Sequence, residues 1–292
     1  MSDLQTRTVD APGATIHYDV RGDLSDADAA RPVLMLVGSP MDASGFATLA
    51  GHFADRPVVT YDPRGAGRSV RTDGASETTP EEHADDLRRV IEALGVDRVD
   101  LFGSSGGAVN SLVLVSRHPQ RVRTLVAHEP PTAEVLPDRE QVEAVSRDIH
   151  DTYQSRGMGP AMAKFIKLTQ QTGPLPDSYL DEPAPDPAAY GLPTEDDGSR
   201  DDPLLGQNMR TCSAYRLDFG ALAAAPGRVV IAAGEESADE MTGRAAAGVA
   251  KRLGTELVVF PSHHGGYLGG EFGMEGKPEA FAAALRKVLS ES

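Results

Sequence analysis

The chain has 292 residues, enough to bury a substantial core in one large α/β domain or two smaller ones, and a single domain with an insertion is the expected arrangement. Its 28 Lys and Arg stand against 44 Asp and Glu, and a formal charge of −16 works against binding nucleic acid or an anionic membrane surface. The opening MSDLQTRTVD carries no basic stretch followed by an apolar run, and no apolar segment approaches the ~18 residues of a membrane span, so a cytoplasmic location is expected. A single cysteine, Cys212, excludes an internal disulfide and a cysteine metal site; a buried free thiol is the expected state.

In chain order, ATIHYDVRG (14–22) alternates as a half-buried strand does. PVLMLVG (32–38), PVVTYDP (57–63), VDLFGS (99–104), TLVAHEP (124–130), VVIAAG (229–234) and LVVFPS (257–262) are short apolar runs, the pattern of strands buried in the middle of a parallel sheet. Helices are predicted between them. PEEHADDLRRVIEALG (80–95) opens with Pro and acids, carries Leu87, Val90, Ile91 and Leu94 on one face and stops at Gly95. GRAAAGVAKRLG (243–254) and KPEAFAAALRKVLSE (277–291) read the same way. Strands separated by helices imply right-handed crossovers and an α/β sheet covered on both faces.

The alternation breaks between Thr132 and about Leu217. Two helices are expected there, REQVEAVSRDIHDTYQ and MGPAMAKFIKLTQQ, followed by a stretch rich in Pro and Asp that no core strand could absorb. The expected division is a first part of the core over residues 1–132, an inserted helical cap over 133–217, and the second part of the core over 218–292. Met158, Met162, Phe165 and Ile166 recur at helical spacing; packing against neighbours is the ordinary role of such a stripe, and lining a pocket is the alternative.

DLFGSSGGAVNSL (100–112) places two serines in the turn between a strand and a helix. A nucleophile elbow, G-x-S-x-G, needs that context: the serine sits on a sharp turn with its oxygen above the sheet, and small residues two before and two after let strand and helix pack closely. Ser105 has Gly103 and Gly107 at those places, whereas Ser104 has Phe102 at the first. A Gly-rich turn of this kind can also cradle phosphate, but the G-x-x-x-x-G-K-[ST] pattern is missing.

With the elbow, LMLVGSPMD (34–42) and YDPRGAGRS (61–69) resemble the α/β-hydrolase family in motif, order and spacing, over nearly the whole chain apart from the cap. The resemblance implies an α/β-hydrolase fold and an oxyanion hole formed by the amides of Ser39 and Gly106. The usual His-Gly of the first loop is Val37-Gly38 here, a departure that leaves a backbone donor at Ser39 intact. Asp62 and Arg64 are expected to brace their turn. In LVVFPSHHGGYL the third residue after Pro261 is His264, the position of the family's base, with His263 as runner-up; histidine suits the task because its pKa lies near neutrality.

The acid departs from the pattern. The family commonly has G-x-x-D after the penultimate strand, and Gly234-Glu235-Glu236-Ser237 puts a serine there. Glu235, Glu236 and Asp239 lie nearby but off register. Glu129, in the H-E-P-P at the carboxyl end of the strand after the nucleophile helix, is the preferred candidate, and VRTLVAHEPP with LFGSSGG is similar to the zearalenone lactonase branch, where a Glu in a comparable segment is the acid. A capping or salt-bridging role beside two prolines is the alternative for Glu129.

The resulting expectation is a Ser105–His264–Glu129 hydrolase of an ester or lactone, needing no metal and no organic cofactor, acting on a small apolar carbonyl substrate. Neither a nucleic acid nor a membrane is an expected partner, and the oligomeric state is open. Thioester or C–C bond hydrolysis, or a slow-turnover small-molecule-binding protein on the same fold, are the alternatives.

Overall fold

The structure is a computed structural model that describes residues 4–291. Its sheet has eight strands: β1 (Leu4–Ala11), β2 (Ala14–Arg21), β3 (Leu34–Val37), β4 (Val58–Tyr61), β5 (Val99–Ser104), β6 (Val122–His128), β7 (Arg228–Gly234) and β8 (Leu257–Phe260), in the spatial order β1-β2-β4-β3-β5-β6-β7-β8. β1 and β2 pair antiparallel, as do β2 and β4; the rest of the sheet is parallel. β3, β4 and β5 are buried at every residue, as apolar runs without alternation require when helices cover both faces.

The helices in chain order are α1 (Ala47–Gly51), α2 (Pro80–Ala93), α3 (Gly106–Arg117), α4 (Arg139–Arg156), α5 (Met158–Thr169), α6 (Met209–Ser213), α7 (Phe219–Ala224), α8 (Met241–Leu253) and α9 (Pro278–Ser290). α2 begins where Thr79 and Glu82 cap each other: the Glu82 amide donates to Thr79 Oγ1 at 3.2 Å and the Thr79 amide to Glu82 Oε2 at 2.8 Å. Leu87, Val90 and Ile91 of α2 join Leu112 and Val113 of α3 and Val249 of α8 in the core on one face of the sheet. On the other face, Phe281, Leu285, Val288 and Leu289 of α9 pack with Phe46, Phe53, Phe102 and Phe260; each such side chain contributes about 1.5–3 kcal/mol of burial.

Between β6 and β7 the chain adds no strand to the sheet among the described residues. α4 and α5 build a separate cluster in which Val142, Val145, Ile149 and Tyr153 meet Ala161, Leu168, Leu205 and Met209. Met158, Met162 and Phe165 are half-buried against this cluster. The return path passes through a π-helical turn, Pro203–Asn208, whose Gln207 carbonyl accepts from the Thr78 amide at 3.0 Å. Asn208 Oδ1 lies 2.6 Å from Nε2 of the buried His83.

β1 is absent from the strands expected on sequence. LQTRTVDA is mostly exposed and therefore carries no apolar run; alternating β-branched residues and the following Pro12-Gly13 turn, with Gly13 at φ 73°, are its only signals. Cys212 is buried, and burial pushes its thiol up to about 12.

Candidate active site

The register of β5 and β6 places the first two candidate residues. Ser104 pairs with His128 across the parallel ladder, and the Ser105 amide donates to the His128 carbonyl at 3.0 Å, so Ser105 and Glu129 leave adjacent strands side by side. The two serines then differ sharply. Ser104 ends the strand with its side chain buried, whereas Ser105 turns to φ 56°, ψ −127° and is half-buried at the start of α3. A positive φ at a non-glycine residue costs of order 1–3 kcal/mol and has to be held by its surroundings.

The flanking glycines hold it. A Cβ on Gly103 would lie 2.6 Å from Ser111 Oγ and 2.7 Å from the Gly107 carbonyl; one on Gly107 would lie 2.2 Å from the Val37 carbonyl. The first turn of α3 therefore rests directly on the ends of β5 and β3. A Cβ on Gly106 would meet the Ser39 carbonyl oxygen at 2.6 Å, so the Ser39 and Gly106 backbones abut next to Ser105. Gly106 is the first residue of α3, and its amide belongs to the helix-start donors that lack an intrahelical acceptor.

Glu129 is fully buried and also has a positive φ, 50°. Its carboxylate accepts four hydrogen bonds. Oε1 takes the Gly234 amide at 2.8 Å and the Ser237 hydroxyl; Oε2 takes the Thr242 hydroxyl at 2.8 Å and His264 Nδ1 at 2.5 Å. Burial alone would push this carboxyl up, but the His264 imidazole bonded to it, its charge and the Ser237 hydroxyl hold it well below the usual carboxylate range. Burial would likewise push His264 down, and the Glu129 carboxylate, with Glu240 behind it, holds it above the usual histidine value.

Ser237, at the position where the resemblance led one to expect an Asp, is thus a hydroxyl donor to Glu129, which follows the neighbouring strand β6. Neither Ser237 nor Thr242 is among the residues that sequence reasoning singles out for a role. The one signal in the sequence is the serine in the G-x-x-D position, a side chain able to donate toward a carboxylate arriving from elsewhere.

The other candidates lie apart from this contact. His263 accepts from the Gly265 amide at 3.0 Å, and its Nε2 lies 3.1 Å from the Glu275 carbonyl, so it shapes the loop. Glu235 and Glu236 are exposed and pair with Lys277 at 3.0 and 2.7 Å. Asp239 is exposed, its carbonyl accepting from the Gly173 amide at 2.8 Å. Asp62 accepts from the Ala43 amide and from Arg68, and Arg64 makes a two-pronged pair with buried Asp86 at 2.7 and 3.0 Å, so both brace their turn.

His128, Glu129 and His264 offer three ligand-type atoms within 4.8 Å of one another. Both Glu129 oxygens, however, are already filled by an amide, two hydroxyls and an imidazole, the arrangement of an anion held by hydrogen bonds rather than of a cation cage. Two surface cavities, of about 190 and 130 Å³, lie on the outer side of α4 around Val145, Tyr179 and Leu180 and include none of these residues.

A strained serine at a strand-to-helix turn, with a buried carboxylate and a histidine at the carboxyl ends of the same sheet, defines a hydrolase architecture. Residues 31–178 match the alpha/beta hydrolase fold family, and the chain belongs to that family. It is 32% identical over 272 residues to an uncharacterized hydrolase, YraK, of Bacillus subtilis (strain 168), covering 90% of this chain and 91% of that one. Among solved structures, the enol-lactonase from Burkholderia xenovorans LB400 aligns with a TM-score of 0.68 at 18% identity, over 97% of this chain and 100% of the other. A thermophilic esterase from Thermogutta terrifontis aligns at 0.67 and 18% identity, over 98% of both chains. The two structural likenesses show the shared fold. No helix among the described residues is long and apolar enough to cross a membrane.

Proposed function

We propose that this member of the α/β-hydrolase family is a serine hydrolase that cleaves an ester or lactone through an acyl-enzyme on Ser105. The observation that carries this reading is the 2.5 Å contact between His264 Nδ1 and Glu129 Oε2. A hydrogen bond at Nδ1 fixes the tautomer that leaves the other ring nitrogen free to accept a proton. His264 takes the Ser105 proton as Ser105 attacks the carbonyl, and gives it to the leaving oxygen as the tetrahedral intermediate collapses. The amides of Ser39 and Gly106 stabilise the oxyanion, and water then releases the acyl group by the same route with His264 as base.

The H-E-P-P segment is similar to that of the zearalenone lactonase branch, and a lactone is consistent with the likeness to an enol-lactonase. Residues 133–217 serve in this reading as a cap over the substrate, with a cytoplasmic enzyme and an apolar carbonyl compound as its substrate. The test is turnover of p-nitrophenyl acetate and a macrolactone panel by the purified chain, combined with fluorophosphonate labelling and peptide mapping. Steady turnover and a label on Ser105 that disappears in Ser105→Ala are expected. Release of one equivalent of p-nitrophenol with no further turnover favours the ligand-binding alternative, and a label on Ser104 overturns the assignment.

A further inference from the structure

The catalytic cycle gives no task to His128, although its ring is fully buried directly behind the acid. Phe102, Phe260, Tyr267 and Phe281 surround it at ring-centroid distances of 5.9, 6.0, 6.4 and 5.3 Å, and the His264 ring lies 6.1 Å away. Its Nδ1 is 3.5 Å from Ser104 Oγ. Its Nε2 has no hydrogen-bond partner and lies 3.9 Å from Glu129 Oε1. A buried polar nitrogen left unpaired is costly, so its orientation calls for a reason.

The electrostatics supply one. Burial pushes the ring down to about 4, so it is neutral near pH 7 and carries its proton on one nitrogen. With Nε2 deprotonated, a lone pair would face the Glu129 carboxylate across a dry aromatic box; with Nε2 protonated, an N–H dipole faces it, and Nδ1 is free to accept from the Ser104 hydroxyl. The second arrangement is the favourable one. At 3.9 Å it is a charge–dipole interaction rather than a hydrogen bond, strengthened by the low polarity around it.

We propose that His128 is a positioning residue for the acid: its Nε2–H offsets part of the Glu129 charge and so keeps Glu129 from over-stabilising the protonated form of His264. The proposal rests on Glu129 being the triad acid. The offset has a purpose because two carboxylates act on His264, Glu129 bonded to its Nδ1 and Glu240 from the start of α8. Both favour the imidazolium, which cannot serve as a base. The remaining titratable side chain facing His128 is Tyr267, whose phenol is neutral near pH 7 and is pushed further up, to about 12, by burial.

The test compares wild type with His128→Phe, which keeps an aromatic ring and loses the N–H, and His128→Gln, which keeps an N–H donor. The pH dependence of fluorophosphonate labelling of Ser105 reports the ionisation of His264 without requiring the natural substrate. His128→Phe is expected to shift the acid limb upward by about half a pH unit, a threefold change in the ionisation equilibrium, with His128→Gln staying nearer wild type. Histidine-¹⁵N NMR of the wild-type chain provides a readout that needs no variant: a neutral, Nε2-protonated His128 from about pH 5 to 8 is expected. An Nδ1-protonated His128, or an acid limb that stays put or moves down in His128→Phe while Glu129→Gln is inactive, overturns the proposal alone. Wild-type labelling in Glu129→Gln overturns the acid assignment and this proposal with it.

Discussion

Replacing Glu129 by Gln removes one charge and preserves shape, and the four donors around the carboxylate determine how the new amide settles. Its single oxygen can keep two of them; the NH₂ must face the other two. On the Oε1 side the Gly234 amide is a fixed donor at 2.8 Å, whereas on the Oε2 side the Thr242 hydroxyl can rotate and His264 can change tautomer. The carbonyl of the introduced glutamine will therefore turn toward Gly234, and its NH₂ toward His264. His264 Nδ1 then becomes an acceptor, its proton moves to Nε2, and the ring can no longer take a proton from Ser105. Loss of the orienting acid in a triad costs ~10⁴ in kcat, about 5.5 kcal/mol at about 1.36 kcal/mol per tenfold. Stability should change by only about 1–2 kcal/mol, the scale of one rearranged buried hydrogen bond. The assay is p-nitrophenyl ester hydrolysis beside a thermal melt, with Asp239→Asn and Glu236→Gln as controls near wild type. A Glu129→Gln enzyme within about tenfold of wild type, or a collapse in Asp239→Asn instead, refutes Glu129 as the orienting acid.

Activity should fall as pH drops through the His264 ionisation, which lies above the usual ~6.5 because Glu129 and Glu240 outweigh burial; a rate profile flat from about pH 5 to 8 would exclude a histidine base. The stability from this raised pKa runs the other way, being fully present below ~6.5 and lost as pH rises through the folded value, which urea midpoints across the same range will register. Ser237 touches Glu129 Oε1, so an Asp in its place should approach His264 once Glu129 is shortened: Ser237→Asp with Glu129→Ser is expected to recover at least about tenfold in kcat over Glu129→Ser alone, while Ser237→Asp by itself sets two carboxylates together and inactivates. Arg64→Met leaves buried Asp86 without its two-pronged partner and should cost about 3–5 kcal/mol in chemical denaturation, most of it regained in Arg64→Met with Asp86→Leu.

The six parallel strands β3 to β8 are legible because each lies in a short, mainly apolar run separated from the next by helical or loop patterns, and Ser105 is distinguishable from Ser104 because glycine spacing is a local property. Chemistry distributed over several segments is harder to read. Ser237, Thr242 and the Gly234 amide come from the β7–α8 region yet serve a carboxylate more than a hundred residues earlier, and no local pattern records that meeting. The π-helical turn at Pro203–Asn208 is hidden for a different reason: its form follows from docking of Gln207 and Asn208 onto Thr78 and His83, tertiary contacts that override local preference. His128 gives no sign of a role because an apolar run with one histidine reads as core.

Ser105 and Glu129 are anchored to the sheet differently from His264. The Ser105 amide bonds the His128 carbonyl, and the Glu129 amide bonds the Ala232 carbonyl at 2.9 Å, so Ser105 and Glu129 are stitched to three neighbouring strands of the sheet. His264 rides the loop after the edge strand β8, whose Val259 is 60% exposed. Local opening of that loop requires far less than breaking the sheet. On mild heating His264 is therefore expected to leave first, while Ser105 and Glu129 keep their relative geometry until the whole domain melts.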